Sequence, residues 1–92
     1  MLDTIEKIQL FSFNMKNFLI EKNKKYGDSA LTPHKIFSKL PGYTSIDIRI
    51  DDKLSRINNA KELRKNDLID LIGYLHLKAI EKDWILIDEL ID

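Results

Sequence analysis

Three groups of residues in this chain have types and spacings that could do chemistry. The first is Asp67-Leu68-Ile69-Asp70-Leu71-Ile72-Gly73-Tyr74. On a helix Asp67, Asp70 and Tyr74 fall at i, i+3 and i+7 and share one face. Apolar residues flank Asp70 on both sides, and an ionised carboxylate kept dry there without a partner is strongly destabilising. It must meet a cation, a metal or hydrogen-bond donors. Carboxylates on adjacent turns can converge on a single metal ion. The plainer account makes Asp67 a first-turn residue favoured by the helix dipole and pairs Asp70 with a Lys or Arg. That account is preferred for Asp67, and for Asp70 the two stand level.

The second group is Arg49, Lys53 and Arg56, at i, i+4 and i+7 with Asp52 among them. Three cations on one helical stripe suit phosphate oxygens, Arg through its planar fork and Lys as a point charge. A solvated face is the commoner reason for such a stripe. The acids Asp51, Asp52, Asp67 and Asp70 nevertheless let a mixed polar pocket between two helices be drawn. The third group, Lys22-Asn23-Lys24-Lys25-Tyr26-Gly27-Asp28-Ser29, gathers cations, an amide, an aromatic ring, a glycine and a hydroxyl at a helix end. Such groups stack a base and hold a sugar or phosphate. A C-terminal cap followed by a surface loop explains the lysines and the glycine but not the whole set. His34 and His76 are too few and too far apart for a zinc site, and neither a P-loop nor a nucleophile elbow is present.

The elements that must position these groups read as helices. Asp3-Thr4-Ile5-Glu6 has the form of a capping box. Ile5, Ile8, Phe11, Met15, Phe18 and Leu19 then follow at three- and four-residue steps, while Leu10, Phe13 and Ile20 widen the stripe beyond what one neighbour covers. Lys22, Lys24 and Lys25 suit the C-terminus of this helix, and Gly27 its exit. Thr32-Pro33 starts a short helix, His34 to Leu40, which Pro41-Gly42 ends. Thr44 or Ser45 caps the next, with Ile46, Ile50, Leu54 and Ile57 as its stripe and Asn58-Asn59 at its end. After a turn through residues 61–65, Asn66 is the expected N-cap of the helix that carries Asp67 and Asp70. Leu68, Leu71, Ile72, Leu75, Ala79 and Ile80 form its core face. Gly73 in its interior costs about 1 kcal/mol against alanine, so something should pack close to it. Trp84 to Ile91 is apolar almost all round and either continues the helix or forms a separate short element.

The expected fold is therefore all-α: one domain over residues 1–92, a small bundle of three main helices plus a short one, with a nucleotide-binding core over 1–82 and an apolar segment over 83–92 that serves self-association. A chain of 92 residues buries its core incompletely, which favours a homo-oligomer. Hydrophobic residues are 43% and charged residues 33%, outside the disordered class. There is no cysteine, hence no disulfide, thiolate site or thiol nucleophile. No secretory leader or membrane span is read from the sequence, and the cytoplasm is the expected compartment. Net charge is zero, which gives no overall attraction for duplex nucleic acid. Residues 1–65 carry 13 Lys and Arg against 8 Asp and Glu, and residues 66–92 carry 2 against 7, so a basic front of +5 meets an acidic tail of −5. The two should face each other within the fold or between copies.

The order Lys22-Asn23-x-x-Tyr26-Gly27-x-Ser29, then Arg49-Ile50-Asp51-Asp52-Lys53-Leu54-Ser55-Arg56, then Asp67 to Tyr74 resembles the nucleotide modification associated domain of many phage-encoded small proteins. That group is distantly similar to the all-α nucleotide pyrophosphohydrolases of the MazG-like and dimeric dUTPase-like kinds. The resemblance covers roughly residues 17 to 80, and its last two motifs are the specific part. It implies an oligomeric helical bundle that binds nucleotides between helices. MazG-like enzymes hold magnesium with Glu-x-x-Glu on one helix and Glu-x-x-Asp on a later one. Asp67-x-x-Asp70 matches the second motif with a shorter acid. The first is broken, because Ile50, Leu54 and Ser55 stand three residues after Asp47, Asp51 and Asp52.

A damaged metal motif beside an intact polar stripe points to binding rather than turnover, with no catalytic residue assigned. The expected ligand is a nucleotide or nucleotide-derived small molecule, such as a cyclic or ADP-ribose-type signal that a phage protein could sequester as a sponge. Arg49, Lys53 and Arg56 are expected on its phosphates and Lys22, Asn23, Tyr26 and Ser29 on base or sugar, with Asp70 orienting the cations and Tyr74 lining the pocket. The alternatives are a Mg-dependent nucleoside triphosphate pyrophosphohydrolase using Asp52, Asp67 and Asp70 as ligands, and a protein-binding adaptor using the Trp84 to Ile91 surface.

Overall fold

The computed structural model describes residues 1–26 and 45–91, and within them the chain is all-α. Helix α1 spans Thr4–Tyr26, α2 Ser45–Asn59 and α3 Lys65–Glu81, followed by a single 3-10 turn at Asp88–Leu90. The expected short helix 34–40 lies outside the described residues. None of the described helices is long and apolar enough to cross a membrane.

Local chemistry accounts for the helix ends. The Glu6 backbone N–H donates to Asp3 Oδ1 at 2.8 Å, and Glu6 Oε1 accepts from the Asp3 backbone N–H at 3.2 Å. This is the reciprocal capping box that the sequence predicts. Lys24 and Lys25 lie in the last turn of α1, where cations oppose the dipole. Helix α3 starts earlier than expected. Arg64, rather than Asn66, holds the N-cap position, and no side chain caps the helix there. At its other end Trp84 N–H donates to the Ala79 carbonyl and Asp83 N–H to the Ile80 carbonyl, both at 2.9 Å, around an Asp83 with φ of 59°. That is a Schellman stop with Asp in the left-handed position glycine usually takes. It ends the helix outright, so Trp84–Ile91 is a separate, exposed element and not a continuation.

Helices α2 and α3 form an antiparallel hairpin, joined by a short turn and packed along their common length. Asp47 meets Lys78 near one end and Lys53 meets Asp67 and Asp70 towards the other, which fixes the register. Ile46 is fully buried, and Ile50, Ile57, Leu71 and Ile72 are half-buried along the two helices. Helix α1 reaches this hairpin through its C-terminal half. A Cβ built on Gly73 would sit 3.0 Å from Leu19 Cδ2, so the glycine lets α1 approach the α3 backbone closely. This is the neighbour that Gly73 was expected to have. Met15 is the buried residue of α1, flanked by half-buried Phe18 and Leu19. The core face predicted for α3 is only partly covered, since Leu68, Leu75 and Ile80 are exposed.

Candidate functional site

The α2–α3 seam gathers five of the predicted site residues: Arg49, Lys53 and Arg56 from α2, Asp70 and Tyr74 from α3. Helical spacing supplies each row, and the antiparallel register sets the rows against each other. At the centre Lys53 Nζ lies 3.3 Å from Asp67 Oδ1 and 3.0 Å from Asp70 Oδ2. Asp67 is only 3% exposed, and Asp70 is half-buried. The sequence suggested the reverse, with Asp70 the carboxylate at risk of burial. Both acids meet the same ammonium, so the tertiary packing around α3 decides which of them is covered, and the apolar neighbours in sequence do not.

Hydrogen bonding to Asp70 does most to hold the Lys53 ammonium above its ordinary pKa. Partial burial opposes this, while the hydrogen bond to Asp67 and the charges of both acids add to it. Among the described residues no buried side-chain nitrogen or oxygen lacks a partner. The cation that the Asp67–Asp70 pair requires is therefore Lys53. An amine shared between two carboxylates is committed to them, so Lys53 organises the seam and is not open to a phosphate.

Polar contacts continue on both sides of this triad. Towards the N-terminus of α2, the Arg49 guanidinium stands 6.0 Å from the centroid of the Tyr74 ring, a cation–π approach at the edge of its range. One turn on, Lys78 Nζ bridges Asp47 Oδ1 at 2.8 Å and Glu81 Oε1 at 2.9 Å. Towards the α2–α3 turn the seam opens into a shallow hollow of about 420 Å³, lined by Ser55, Arg56, Asn59, Ala60, Arg64 and Asp67. Neither Arg56 nor Arg64 forms an ion pair with a described residue. Asp67, the one acid in the wall, shares the Lys53 ammonium with Asp70. The residues around the hollow thus include two arginines, an asparagine and a serine against one aspartate, a set suited to an oxyanion.

Arg64 is the site residue that sequence reasoning missed. It sits at the N-cap of α3, eight positions after Arg56 and in a different element, so no single periodicity links the two. Lys22 and Asn23 are exposed near the end of α1, with Lys22 Nζ 5.3 Å from the Phe18 centroid. The Tyr26 side chain and Ser29 lie outside the described residues. Asp52 is exposed, and among the described residues no three His, Cys, Asp or Glu side chains converge on one point. The Asp52, Asp67 and Asp70 set is thus not assembled, and the Lys53 ammonium stands where Asp67 and Asp70 would share a metal. His76 directs Nδ1 to the Ile72 carbonyl at 2.7 Å, so it is a surface histidine bonded to its own helix.

Comparison of the chain with family models, with curated proteins and with solved structures finds no match.

Proposed function

We propose that this protein binds a nucleotide or nucleotide-derived small molecule at the α2–α3 seam, with a phosphate in the hollow between Arg56 and Arg64. The observation that carries the reading is that pair of arginines, without carboxylate partners among the described residues, beside an acid pair that shares the Lys53 ammonium. A phosphate there meets two planar donors, whose two positive charges outweigh the single negative charge that Lys53 leaves on the Asp67–Asp70 pair. Asn59 and Ser55 add neutral donors for a bridging oxygen or a sugar hydroxyl. Arg49 beside Tyr74 continues the polar surface along the seam and supplies a flat surface for a base. Nothing in this arrangement activates a water, so the ligand is held and not turned over. Holding without turnover is what a sponge for a signalling nucleotide requires.

Isothermal titration with nucleoside mono- and triphosphates, cyclic dinucleotides and ADP-ribose tests this reading. At least one should bind with Arg56→Ala and Arg64→Ala each weakening it roughly ten- to a hundredfold, the range of a charge-assisted hydrogen bond. Absence of binding across the panel, or binding that both substitutions leave unchanged, overturns the proposal.

A further inference from the structure

Arg49 and Arg56 bracket the seam. They stand two turns apart on one side of α2, about 10 Å along its axis at 1.5 Å per residue. Like Arg56, Arg49 forms no ion pair with a described residue, and its contact with the Tyr74 ring neutralises no charge. Between the two, Lys53 shares its ammonium between Asp67 and Asp70, so the middle of the seam keeps one negative charge. Asp70 brings that charge to the surface, with its side chain 30% exposed against 5% for Asp67. Along the seam the pattern is therefore positive, negative, positive.

We propose that the ligand of this seam carries two phosphates separated by a nucleoside unit, one in the hollow between Arg56 and Arg64 and the other at Arg49, with sugar or base over Asp70. The inference rests on the reading of the hollow as a phosphate site and adds the shape of the ligand. Nucleoside bisphosphates and small phosphodiester-linked dinucleotides share this chemistry. A contiguous polyphosphate does not fit the pattern. Its phosphorus atoms share bridging oxygens, so a chain running from the hollow towards Arg49 would lay an unbroken line of negative charge across Asp70. A chain that stayed in the hollow would gain nothing from Arg49. A sugar hydroxyl or an exocyclic amine over Asp70 instead donates to the carboxylate. Once the first phosphate is held, the second meets Arg49 as an intramolecular partner, at high effective concentration. The zero net charge of the chain gives a long nucleic acid no comparable attraction.

The test is isothermal titration of the full chain with the monophosphate, triphosphate and 3′,5′-bisphosphate of adenosine and of guanosine, and with cyclic dinucleotides of the same bases. At least one bisphosphate or cyclic dinucleotide should bind roughly tenfold or more tightly than the mono- and triphosphate of its base, the range of one further charge-assisted hydrogen bond. Whichever of the two leads identifies the source of the paired phosphates. Arg49→Ala should remove most of that lead. Asp70→Asn, which leaves Lys53 paired with Asp67, should bring the triphosphate closer to the leading ligand by roughly threefold or more, because the charge that repels it is gone. If this variant loses its helical circular dichroism, the ligand series on the unaltered chain still decides. A mono- or triphosphate that binds as tightly as every separated-phosphate ligand, with loss on Arg56→Ala and Arg64→Ala, overturns the inference and leaves a phosphate in the hollow. Binding by none of these compounds, or binding indifferent to Arg56 and Arg64, overturns the earlier reading and this one together. Affinity that climbs with the length of a single-stranded oligonucleotide also overturns it, since the ligand would then be a polymer.

Discussion

The α2–α3 hairpin and helix α1 solve the same problem in opposite ways. The hairpin is stitched by polar groups: Asp47 to Lys78, Arg49 beside Tyr74, Lys53 to Asp67 and Asp70. The amphipathic spacing of α2 also buries Ile46 at one end of this seam. Among the described residues, helix α1 is covered at Met15, Phe18 and Leu19, and much of its other apolar surface is exposed. A polar seam fixes register, because a one-turn slip of α2 against α3 would separate each cation from its acid. An apolar stripe tolerates such a slip, so α1 needs a steric lock, and Gly73 supplies one.

Breaking the polar side of the comparison should give the largest effect. Lys53→Met leaves Asp67 buried beside a methionine with no cation. Removal of one partner from a fully buried pair costs about 3–5 kcal/mol, and Asp70 remains partly open to water, so about 2 kcal/mol is expected here. Urea denaturation followed by circular dichroism measures it. Adding Asp67→Leu should recover more than half, since the uncompensated charge is then gone. A loss below about 0.5 kcal/mol would show the triad to be solvated like an ordinary surface pair and would remove the distinction between the two regions.

The apolar side should break more gently. A leucine at Gly73 must displace Leu19, whose Cδ2 already stands 3.0 Å from the position of a Cβ. Overpacking of this kind costs about 1–3 kcal/mol; here only the end of the Leu19 side chain must move, so about 1 kcal/mol is expected, and the loss should appear in α1. Hydrogen exchange should speed up in the second half of α1 while the α2–α3 amides stay protected. Gly73→Ala should be close to neutral, because a helix-propensity gain of about 1 kcal/mol offsets the small shift asked of Leu19. Uniform loss of protection across all three helices would mean that α1 and the hairpin fold as one unit.

Much of this contrast can be read in the sequence, and the parts that cannot have a common cause. The Asp3–Glu6 capping box, the bounds of α1 and α2, and a close neighbour for Gly73 follow from local patterns, and the structure has all of them. The burial of Asp67 in place of Asp70 does not, because it depends on how the rest of the chain packs around α3. Arg64 escapes for the same reason, since its companion Arg56 belongs to α2. Leu68, Leu75 and Ile80 belong to the core face that the spacing predicts and are exposed: the width of a stripe records how many neighbours a helix could take and not how many it has. The Asp83 stop is legible only in part, for the sequence marks a break at residues 81–83 but not the left-handed turn that makes it complete.

The smallest expected effect separates two lysines that share a direction of pKa shift. Hydrogen bonds to Asp70 and Asp67 raise Lys53, and hydrogen bonds to Asp47 and Glu81 raise Lys78, each above 10.5. A group whose folded pKa exceeds its unfolded value stabilises fully while both forms are protonated, that is, below the unfolded value. As pH rises beyond about 10.5 the unfolded chain releases its proton first, and the stabilisation falls until the folded pKa is passed. Wild-type stability should therefore hold through neutral pH and decline above about pH 10.5. Lys53→Met should start lower and decline less steeply. Lys78→Met should lose less at neutral pH, because its pairs lie nearer to water, and should flatten the alkaline decline only slightly. Urea midpoints from neutral pH to about pH 11 read both slopes. A Lys53→Met curve parallel to wild type would mean that the triad contributes nothing to the linkage, and the polar stitching of the hairpin would then rest on the Asp47–Lys78 end.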